Sequence, residues 1–549
     1  RRNLGAALLL QGRADEAVDV YLEIDHALPA SPELRREFAA AARYLVPRTR
    51  DPRLERAVLE CLGAADANPQ ALAHLAARLV CLKHGLDGRG AAASGDPLAA
   101  FMGDPLLRKL LMMTVNVEPA LERTLTEARR QLLKTYVDAD SLDADLVEFL
   151  SALAQQCFSN EYVFAETADE QARVAIIVER LKCALAGAPT SGDRLVAPML
   201  LVSLYRPLCL LPVAIAIDAL PDTAWPGPVA SLIERTLSEP LEEARLAESI
   251  PAATGISDAT SEEVRAQYEA NPYPRWFGLP LQRRESYAAM LRRRFAHFEP
   301  PSRLEQEAEV LVLGCGTGQE AVAAAGRLAR VTGVDLSRAS LAYALRMARR
   351  HGLQNLEFLQ ADALNLRDLG RRFDVIESSG VLHHLSDPMA GWRAAVDCLE
   401  PGGVMKIGLY SERARKDVVT ARESIAARGH AADPEGIRAF RRSVLEAPPD
   451  DALSRLAGSE DFYTMSSCRD LLFHVCEHHF SPRRIGGALE ELGLVFLGFE
   501  LPHAVVRSRY RSFNPDDQQM TDLDAWERFE EAHPDVFAAM YVFWCHKPG

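Results

Sequence analysis

The sequence predicts an α/β protein in which a long all-helical region precedes a mostly parallel, doubly wound β-sheet. From residue 309 onward, short apolar stretches of strand length alternate with helical stretches, as in β-α-β units. From about residue 50 to 245, apolar residues instead recur three and four positions apart, which is typical of amphipathic helices. A chain of 549 residues is long enough for two or three domains.

The composition argues against two kinds of partner, nucleic acids and membranes. The formal net charge of -15 argues against nucleic-acid binding through bulk electrostatics, so we expect no nucleic-acid partner. The most apolar stretch, residues 196–220, contains Arg206, Pro207, Pro212 and Asp218, which favours buried helices over a membrane span.

The ten cysteines form no C-x-x-C pair, which favours reduced thiols and a cytoplasmic location. The chain opens with Arg1 inside a predicted helix, which we interpret as a truncated start.

The chain is predicted to fall into four parts. Residues 1–45 are predicted as a partial tetratricopeptide-like repeat, with an arbitrary helical hairpin as the alternative. The residues at the repeat spacing are Leu4, Gly5, Leu8, Gly12, Ala17, Tyr21 and Pro29. Residues 46–250 are predicted as an all-helical domain, and 251–304 as a linker and lid-like lead-in. Residues 305–549 are predicted as the α/β domain, with a helical insertion at about 411–479.

The most informative motif is a glycine-rich turn. The apolar stretch 309–313 leads into Gly314, Cys315, Gly316, Thr317 and Gly318, and a helical stretch follows. Glycines let the backbone turn tightly and approach a ligand closely, and the N-terminus of the next helix offers free N–H groups. A dinucleotide site would require glycine at position 319, where this sequence has glutamine.

Polar residues close each of the next predicted strands. Asp335 ends the second strand, where a carboxylate can accept hydrogen bonds from ribose hydroxyls. Residues 355–360 are predicted as the third strand and 373–379 as the fourth, while 399–403 form a turn before a fifth at 404–410. Two more strands are predicted, at 494–501 and 540–546. Ends of parallel strands converge at one edge of the sheet, where ligands bind in such folds.

Together these motifs resemble a class I S-adenosylmethionine-dependent methyltransferase, and in particular bacterial members that carry N-terminal tetratricopeptide-like helices. The resemblance is strong over residues 305–410 and looser over 262–549. It implies a Rossmann-like domain, an enzyme that transfers methyl groups, and S-adenosyl-L-methionine as its cofactor. It also implies the following contacts: Gly314, Cys315, Gly316, Thr317 and Gly318 beside the methionine part and ribose, Asp335 and Leu336 at the ribose, Asp362 and Ala363 at the adenine, and Ser378 and Ser379 at the amino-acid end.

The lead-in segment 268–276 is the second place where the resemblance implies ligand contact. Its prolines are expected to hold it extended. Tyr268, Tyr273 and Arg275 are candidates to touch the methionine carboxylate or the acceptor, since arginine offers a two-pronged donor to a carboxylate. The alternative is a rigid interdomain linker with packed aromatic side chains.

A methyl acceptor such as a phenol or ammonium must lose a proton, so a base is expected near the end of the fourth strand. His383 and His384 are the candidates, with Tyr410 next, although a Leu-His-His-Leu stretch also serves helix packing in related enzymes. A second histidine-rich stretch contains His474, Cys476, His478 and His479. It lacks the glutamate and the third ligand of a zinc-protease site, so we expect no metal and favour structural histidines over acceptor contacts.

The leading functional hypothesis is methyl transfer to a small-molecule or metabolite acceptor. Helical repeats present concave surfaces to peptides, so a protein or peptide methyltransferase recruited through the helical region is the main alternative. A non-enzymatic scaffold that binds the cofactor is the third hypothesis. The helical insertion at 411–479 is expected to shape the acceptor pocket.

Overall fold

The computed structural model describes residues 2–24, 31–64, 67–86, 97–186, 193–279, 281, 284–448, 450–501, 504–537 and 539–549. The chain divides into two compact units. The helical unit comprises Arg1–Glu242, Phe277–Pro280 and Ile425–Leu471, and the sheet unit comprises Glu243–Trp276, Leu281–Ser424 and Leu472–Gly549. Residues 425–471, predicted as part of an insertion in the α/β domain, thus cluster with the N-terminal helices.

The first part of the chain is helical, as predicted. Its helices are α1 Arg2–Leu10, α2 Ala14–Leu22, α3 Pro32–Ala42, α4 Pro52–Leu62, α5 Ala73–His84, α6 Pro97–Met102, α7 Pro105–Met113, α8 Pro119–Tyr136, α9 Ala144–Ser159, α10 Ala168–Ala186, α11 Asp193–Ser203, α12 Ala214–Asp218, α13 Gly227–Ile233 and α14 Glu239–Ser249. A π-helical turn, Glu234–Ser238, joins the last two. Several helices begin with Asp or Ser followed by proline, a sequence that supplies both a capping oxygen and a preset φ angle; examples are Ser31-Pro32, Asp51-Pro52 and Asp104-Pro105.

Helices α1 and α2 contact each other where the tetratricopeptide pattern places small and large residues opposite one another. A Cβ added at Gly5 would lie 2.7 Å from Cζ of Tyr21, so a larger residue would not fit there without a shift. Pro29 of the pattern lies outside the described residues. The tetratricopeptide interpretation therefore stays a prediction.

A buried ion pair explains why the late segment clusters with the helical unit. Arg441 donates from Nη2 to Oε2 of Glu122 at 2.9 Å and from Nη1 to Oε1 at 3.1 Å. Its Nε donates to the carbonyl of Phe462 at 2.7 Å. Both charged side chains are almost fully buried, so each depends on the other for solvation.

No helix within the described ranges combines the length and the apolar character needed to cross a bilayer. The apolar stretch 196–220 instead lies in helices α11 and α12 and a short 3-10 turn, Leu208–Leu210.

The sheet unit is built on a seven-stranded sheet in the order β3-β2-β1-β4-β5-β7-β6. The strands are β1 Ala308–Leu313, β2 Ala329–Asp335, β3 Leu356–Gln360, β4 Phe373–Ser379, β5 Leu399–Tyr410, β6 Val495–Phe499 and β7 Met540–His546. The first five strands pair in parallel, and β7 lies antiparallel between β5 and β6. The predicted mostly parallel sheet is confirmed. In register, Leu313 lies opposite Val334, so the glycine turn and Asp335 leave the sheet at the same level.

The remaining helices are α15 Ala259–Ala270, α16 Tyr287–Arg294, α17 Gln319–Ala325, α18 Arg338–Arg350, α19 Pro388–Asp397, α20 Lys416–Arg428, α21 Pro434–Leu445, α22 Met465–Phe473, α23 Pro482–Glu491, α24 Ala504–Phe513 and α25 Leu523–Ala532. Further 3-10 turns are Pro69–Leu72, Asp222–Ala224, Ser302–Glu305, Ala363–Leu369, Leu382–His384, Ala452–Gly458 and Glu460–Phe462. On one side of the sheet, Trp392, Trp526 and Phe543 are buried members of a large apolar core.

Two local predictions differ from the structure. Residues 399–403 do not form a separate turn but begin β5, with a register irregularity against β4 and a positive φ of 74° at Gly402. Tyr268 lies in the last turn of α15 rather than in an extended segment. Asp258 caps that helix by accepting from the N–H of Ser261, and Pro272 prevents its continuation past Asn271.

Candidate cofactor and acceptor site

The turn after β1 is a cradle that only glycine can form. Gly314, Gly316 and Gly318 have φ angles of 62°, 52° and 84°. Added Cβ atoms would lie 2.2 Å from Cγ2 of Val381, 2.6 Å from the carbonyl oxygen of Tyr273 and 2.5 Å from Cβ of Ala344, respectively. The glycines therefore let the turn before α17 pack closely against these neighbours, where any side chain would clash.

We expect Gly316→Ala to destabilise the sheet unit because the new methyl group meets a backbone carbonyl. Gly370 is a matched control: its φ is 62°, and a Cβ there meets nothing within 4 Å. Both alanine variants carry the strain of a left-handed residue, so the extra loss at Gly316, about 1 to 2 kcal/mol, isolates the clash. Urea unfolding of the two variants measures it; equal losses would show that the close approach to Tyr273 is unimportant.

Asp335 is held at the end of β2 by the backbone of that cradle. Its Oδ2 accepts from the N–H of Gly316 at 2.8 Å, and its Oδ1 accepts from the N–H of Ser337 at 2.9 Å. Burial raises the pKa of Asp335 to about 6. Glu269, which the sequence did not suggest, lies nearby and accepts from the N–H groups of Arg338 and Ala339 at 2.7 and 3.1 Å. Its carboxylate thus stabilises the N-terminus of α18.

The raised pKa of Asp335 predicts a pH-dependent affinity for the cofactor product, S-adenosylhomocysteine. If ribose hydroxyls donate to this carboxylate, binding requires the ionised form, so a protonated Asp335 must first lose its proton. Affinity should be constant well above pH 6 and fall about tenfold per unit below it. Calorimetry at pH 7.5 and pH 5 tests this, and Asp335→Asn should remove most of the dependence. An equal slope in that variant would contradict the assignment.

Three further polar side chains at the same sheet edge each have a buried oxygen without a hydrogen-bond partner among the described residues. Asp362 accepts at Oδ1 from the N–H of Leu364 at 3.0 Å, and burial raises its pKa. Its Oδ2 and the hydroxyls of Ser378 and Ser379 have no hydrogen-bond partner among the described residues. Buried polar atoms of this kind normally meet a ligand or water. Their number and placement fit a ligand with an adenosyl group and an amino acid.

The other predicted cofactor residues have mainly backbone or packing roles in the fold. The N–H of Cys315 donates to the carbonyl of Val334 at 2.9 Å, which fixes the turn to β2. The carbonyl of Leu336 accepts from Nε2 of Gln360 at 2.9 Å, and Ala363 is buried at the start of a 3-10 turn. Their cofactor contacts stay predictions.

The lead-in segment lies against the glycine turn. The carbonyl of Tyr273 accepts from the N–H of Thr317 at 3.4 Å, and the Thr317 hydroxyl donates to the carbonyl of Pro274. Nε1 of Trp276 donates to the carbonyl of Thr317 at 3.0 Å. The segment is thus tied to the glycine turn by three hydrogen bonds to Thr317.

The lead-in side chains spread in two directions. The ring of Tyr268 is stacked on that of Tyr273, with centroids 6.4 Å apart, and lies 6.4 Å from the ring of His474. The guanidinium of Arg275 lies 5.6 Å from the ring centroid of Tyr343 on α18. The proposed contacts of Tyr268, Tyr273 and Arg275 with the cofactor stay predictions.

The segment predicted as a linker also contributes to the site. The N–H of Ala253 donates to the carbonyl of Gln360 at 2.8 Å, and the N–H of Gln360 donates to the carbonyl of Pro251 at 2.9 Å. The hydroxyl of Thr254 accepts from the N–H of Asp362 at 2.8 Å. Residues 251–254 thus cover the end of β3 beside the predicted adenine contact. No local sequence signal marks this pairing.

The candidate bases His383 and His384 lie together beside Tyr410. His383 is fully buried, its ring centroid is 3.9 Å from that of Tyr410, and both ring nitrogens lack partners among the described residues. Burial lowers its pKa well below the usual value, so the ring is neutral. Nδ1 of His384 lies 2.8 Å from the carbonyl of Cys476. Because a carbonyl can only accept, Nδ1 carries a proton, and in the neutral ring Nε2 is then the acceptor.

The histidine-rich stretch, residues 474–480, holds these rings in place. The N–H of His478 donates to the carbonyl of His383 at 2.8 Å, and the N–H of Phe480 donates to the carbonyl of Tyr410 at 2.9 Å. The ring of His474 stacks on that of His384 at 3.7 Å. These contacts give the stretch a structural role around His383 and His384.

A buried glutamate, missed in the sequence, organises the same cluster. Glu477 accepts from Nε of Arg415 at 3.0 Å and from Nε2 of His479 at 2.6 Å. Burial alone would raise its pKa, but these hydrogen bonds and the arginine charges outweigh burial and hold the pKa at about 2. The guanidinium of Arg415 lies 3.9 Å over the ring of Tyr410.

A mostly parallel sheet with a glycine cradle after β1, an acidic residue ending β2, and unpartnered polar atoms just after β3 and at the end of β4 fits a class I methyltransferase domain. Residues 310–403 match the family model described as a methyltransferase domain. The chain therefore carries a class I S-adenosylmethionine-dependent methyltransferase domain, whose cofactor is S-adenosyl-L-methionine.

Each of three comparisons with known proteins covers half of this chain or less. The chain is 30% identical over 239 residues to an uncharacterised protein of Synechococcus sp., covering 40% of this chain and 55% of that protein. It is 36% identical over 99 residues to the ubiquinone biosynthesis O-methyltransferase of Idiomarina loihiensis, covering 17% of this chain and 39% of the relative. The solved structure of PKMT2 from Rickettsia typhi with AdoHcy aligns at 18% identity and a TM-score of 0.37, covering 50% of this chain and 55% of that one. The chain thus spans about half, or less, of the length of these relatives.

Proposed function

We propose that this protein transfers a methyl group from S-adenosyl-L-methionine to a small-molecule acceptor. The observation that carries the proposal is the burial of His383, His384 and Tyr410 as one aromatic cluster, just beyond β4 and at the end of β5. Small-molecule sites are typically enclosed and apolar, with a few placed polar groups. An acceptor enclosed in this way is shielded from water, which favours transfer to the intended atom.

Some residues of the site would hold the methyl donor, and others would prepare the acceptor. When bound, the cofactor supplies an electrophilic methyl group on a sulfonium. The glycine cradle, Asp335 and Asp362 would hold and orient it, and Ser378 would satisfy its amino-acid end. Nε2 of His384 would take the proton from an acceptor O–H or N–H. Most of the rate gain would come from fixing the two reactants in near-attack geometry.

A second candidate function, methylation of a protein or peptide recruited through the helical unit, has separate support. That unit has its own cavity of about 630 Å³ among α4, α7, α9 and α13. A peptide held there could be presented for methylation. A cofactor-binding scaffold without enzymatic activity is the third candidate.

The acceptor class is tested by incubating the protein with methyl-labelled cofactor and cell lysate, then separating macromolecules from filtrate. We expect label in the filtrate with the unaltered protein and none with Asp335→Ala. Label confined to macromolecules would contradict a small-molecule acceptor and support the second candidate. Absence of label in both fractions, together with measurable S-adenosylhomocysteine binding, would support the scaffold.

A further inference from the structure

We propose that the helical unit contains a second binding site, for a carboxylate ligand with an apolar body, in the cavity beside α9. This site is independent of the methyltransferase domain.

The cavity has the size of a small-molecule site. Its volume is about 630 Å³, within the range usual for pockets that bury most of an organic ligand. Its apolar lining comes from four helices or their ends. The lining includes Leu59, Lys109, Met112, Ser151, Gln155 and Pro228.

Helix α9 carries an unusual set of buried polar side chains. Ser151, Gln155 and Ser159 are spaced by four residues and share one face, and Gln156 and Asn160 adjoin it. All five are at most 3% exposed. Each has at least one side-chain atom without a hydrogen-bond partner among the described residues. Leaving a buried polar group unsatisfied is costly, and two of the five, Ser151 and Gln155, line the cavity, where a ligand or its water can satisfy them.

The orientation of Gln155 shows what it offers to a ligand. Its Oε1 accepts from Nη1 of Arg235 at 3.2 Å. Since an arginine can only donate, the amide is fixed with Nε2, an unpartnered donor, on its other side. Arg235 belongs to the π-helical turn Glu234–Ser238, a local irregularity that is frequent at functional sites.

The charge of the cavity lining favours an anionic ligand. Arg108 and Glu148 pair with each other across the cavity wall. Lys109, which lies beside Gly63 at the end of α4, has no carboxylate partner among the described residues. One uncompensated ammonium, the Ser151 hydroxyl and the Gln155 Nε2 group match a carboxylate, whereas the walls of Leu59, Met112 and Pro228 match an apolar body.

Saturation-transfer NMR and calorimetry on the full chain test this with hippurate, which has a carboxylate, an amide and a phenyl ring. Its amide, N-benzoylglycinamide, is the neutral control. Hippurate should bind at least about tenfold more tightly than the amide. Lys109→Met should weaken hippurate about three- to tenfold, and Ser151→Ala and Gln155→Leu should each weaken it similarly. Lys134→Met, an exposed lysine on α8, should change nothing.

A second probe separates free acids from peptide termini. Acetyl-Ala-Ala-Phe-Gly with a free carboxylate is compared with its C-terminal amide. Binding of hippurate alone supports a free organic acid, and binding of the peptide acid supports a chain terminus or a related carboxylate. Equal binding of acids and amides, absence of binding by both acids, or acid binding that survives all three lining variants would overturn the proposal. Circular dichroism and S-adenosylhomocysteine affinity show whether each variant is folded.

Discussion

Replacing Asp335 with alanine should weaken S-adenosylhomocysteine binding about 100-fold, a loss of about 3 kcal/mol. Its carboxylate sits at the end of β2, where it accepts from Gly316 and Ser337. In the proposed complex it would also accept from both ribose hydroxyls. Alanine would remove these charge-assisted hydrogen bonds and release the N–H groups that shape the cradle.

Calorimetry and the thermal shift caused by S-adenosylhomocysteine measure this loss. Asp368→Ala, an exposed aspartate in the turn after β3, is the matched control and should bind like the unaltered protein. A melting temperature near that of the unaltered protein without ligand would show that the fold is intact. An affinity for S-adenosylhomocysteine within threefold of that of the unaltered protein would show that Asp335 does not bind the cofactor.

Replacing Glu477 with glutamine should lower the free energy of unfolding by about 2 to 4 kcal/mol. Glutamine has nearly the same shape but no charge, and it leaves the buried guanidinium of Arg415 without its carboxylate. Arg422, 3.4 Å from the same carboxylate, and His479 lose the same partner. The ring of Tyr410 would then lose the fixed cation above it, so the acceptor side should loosen as well.

Urea unfolding gives the stability change, and Glu412→Gln, an exposed glutamate in the same region, is the control with an expected effect below about 0.5 kcal/mol. The pKa of about 2 adds a check on sign. A carboxyl with a depressed folded-state pKa contributes stability above its unfolded value, and this contribution is lost as the pH falls below about 4. The two proteins should therefore converge in stability under acid conditions. A constant difference at all pH values would contradict the assignment.

The sheet was predictable because each strand carries local signals. All seven strands were expected within a few residues of their observed bounds, since apolar stretches of strand length alternate with capped helices. The glycine cradle and Asp335 were predictable for a related reason. Positive φ angles favour glycine, and a carboxylate that ends a strand follows directly on an apolar stretch.

The parts that were missed depend on contacts distant in sequence. Glu269 caps a helix 69 residues away, and Glu477 meets Arg415 across 62 residues. Neither glutamate differs locally from a surface residue. The clustering of 425–471 with the helical unit likewise rests on the ion pair between Glu122 and Arg441, separated by 319 residues. Pairings of this kind require the folded chain.

The attachment of residues 251–254 to β3, and of residues 273–276 to the glycine turn, bears on how this domain can be produced in isolation. The family resemblance becomes clear at residue 305. A fragment that begins there would leave the end of β3 uncovered, and the carbonyl of Thr317 would lose its hydrogen bond from Trp276. Expression boundaries placed upstream of residue 243 retain both attachments within one polypeptide. Recombinant fragments of the methyltransferase domain should therefore include residues 251–276, which the sequence alone predicts as a linker and lid-like lead-in.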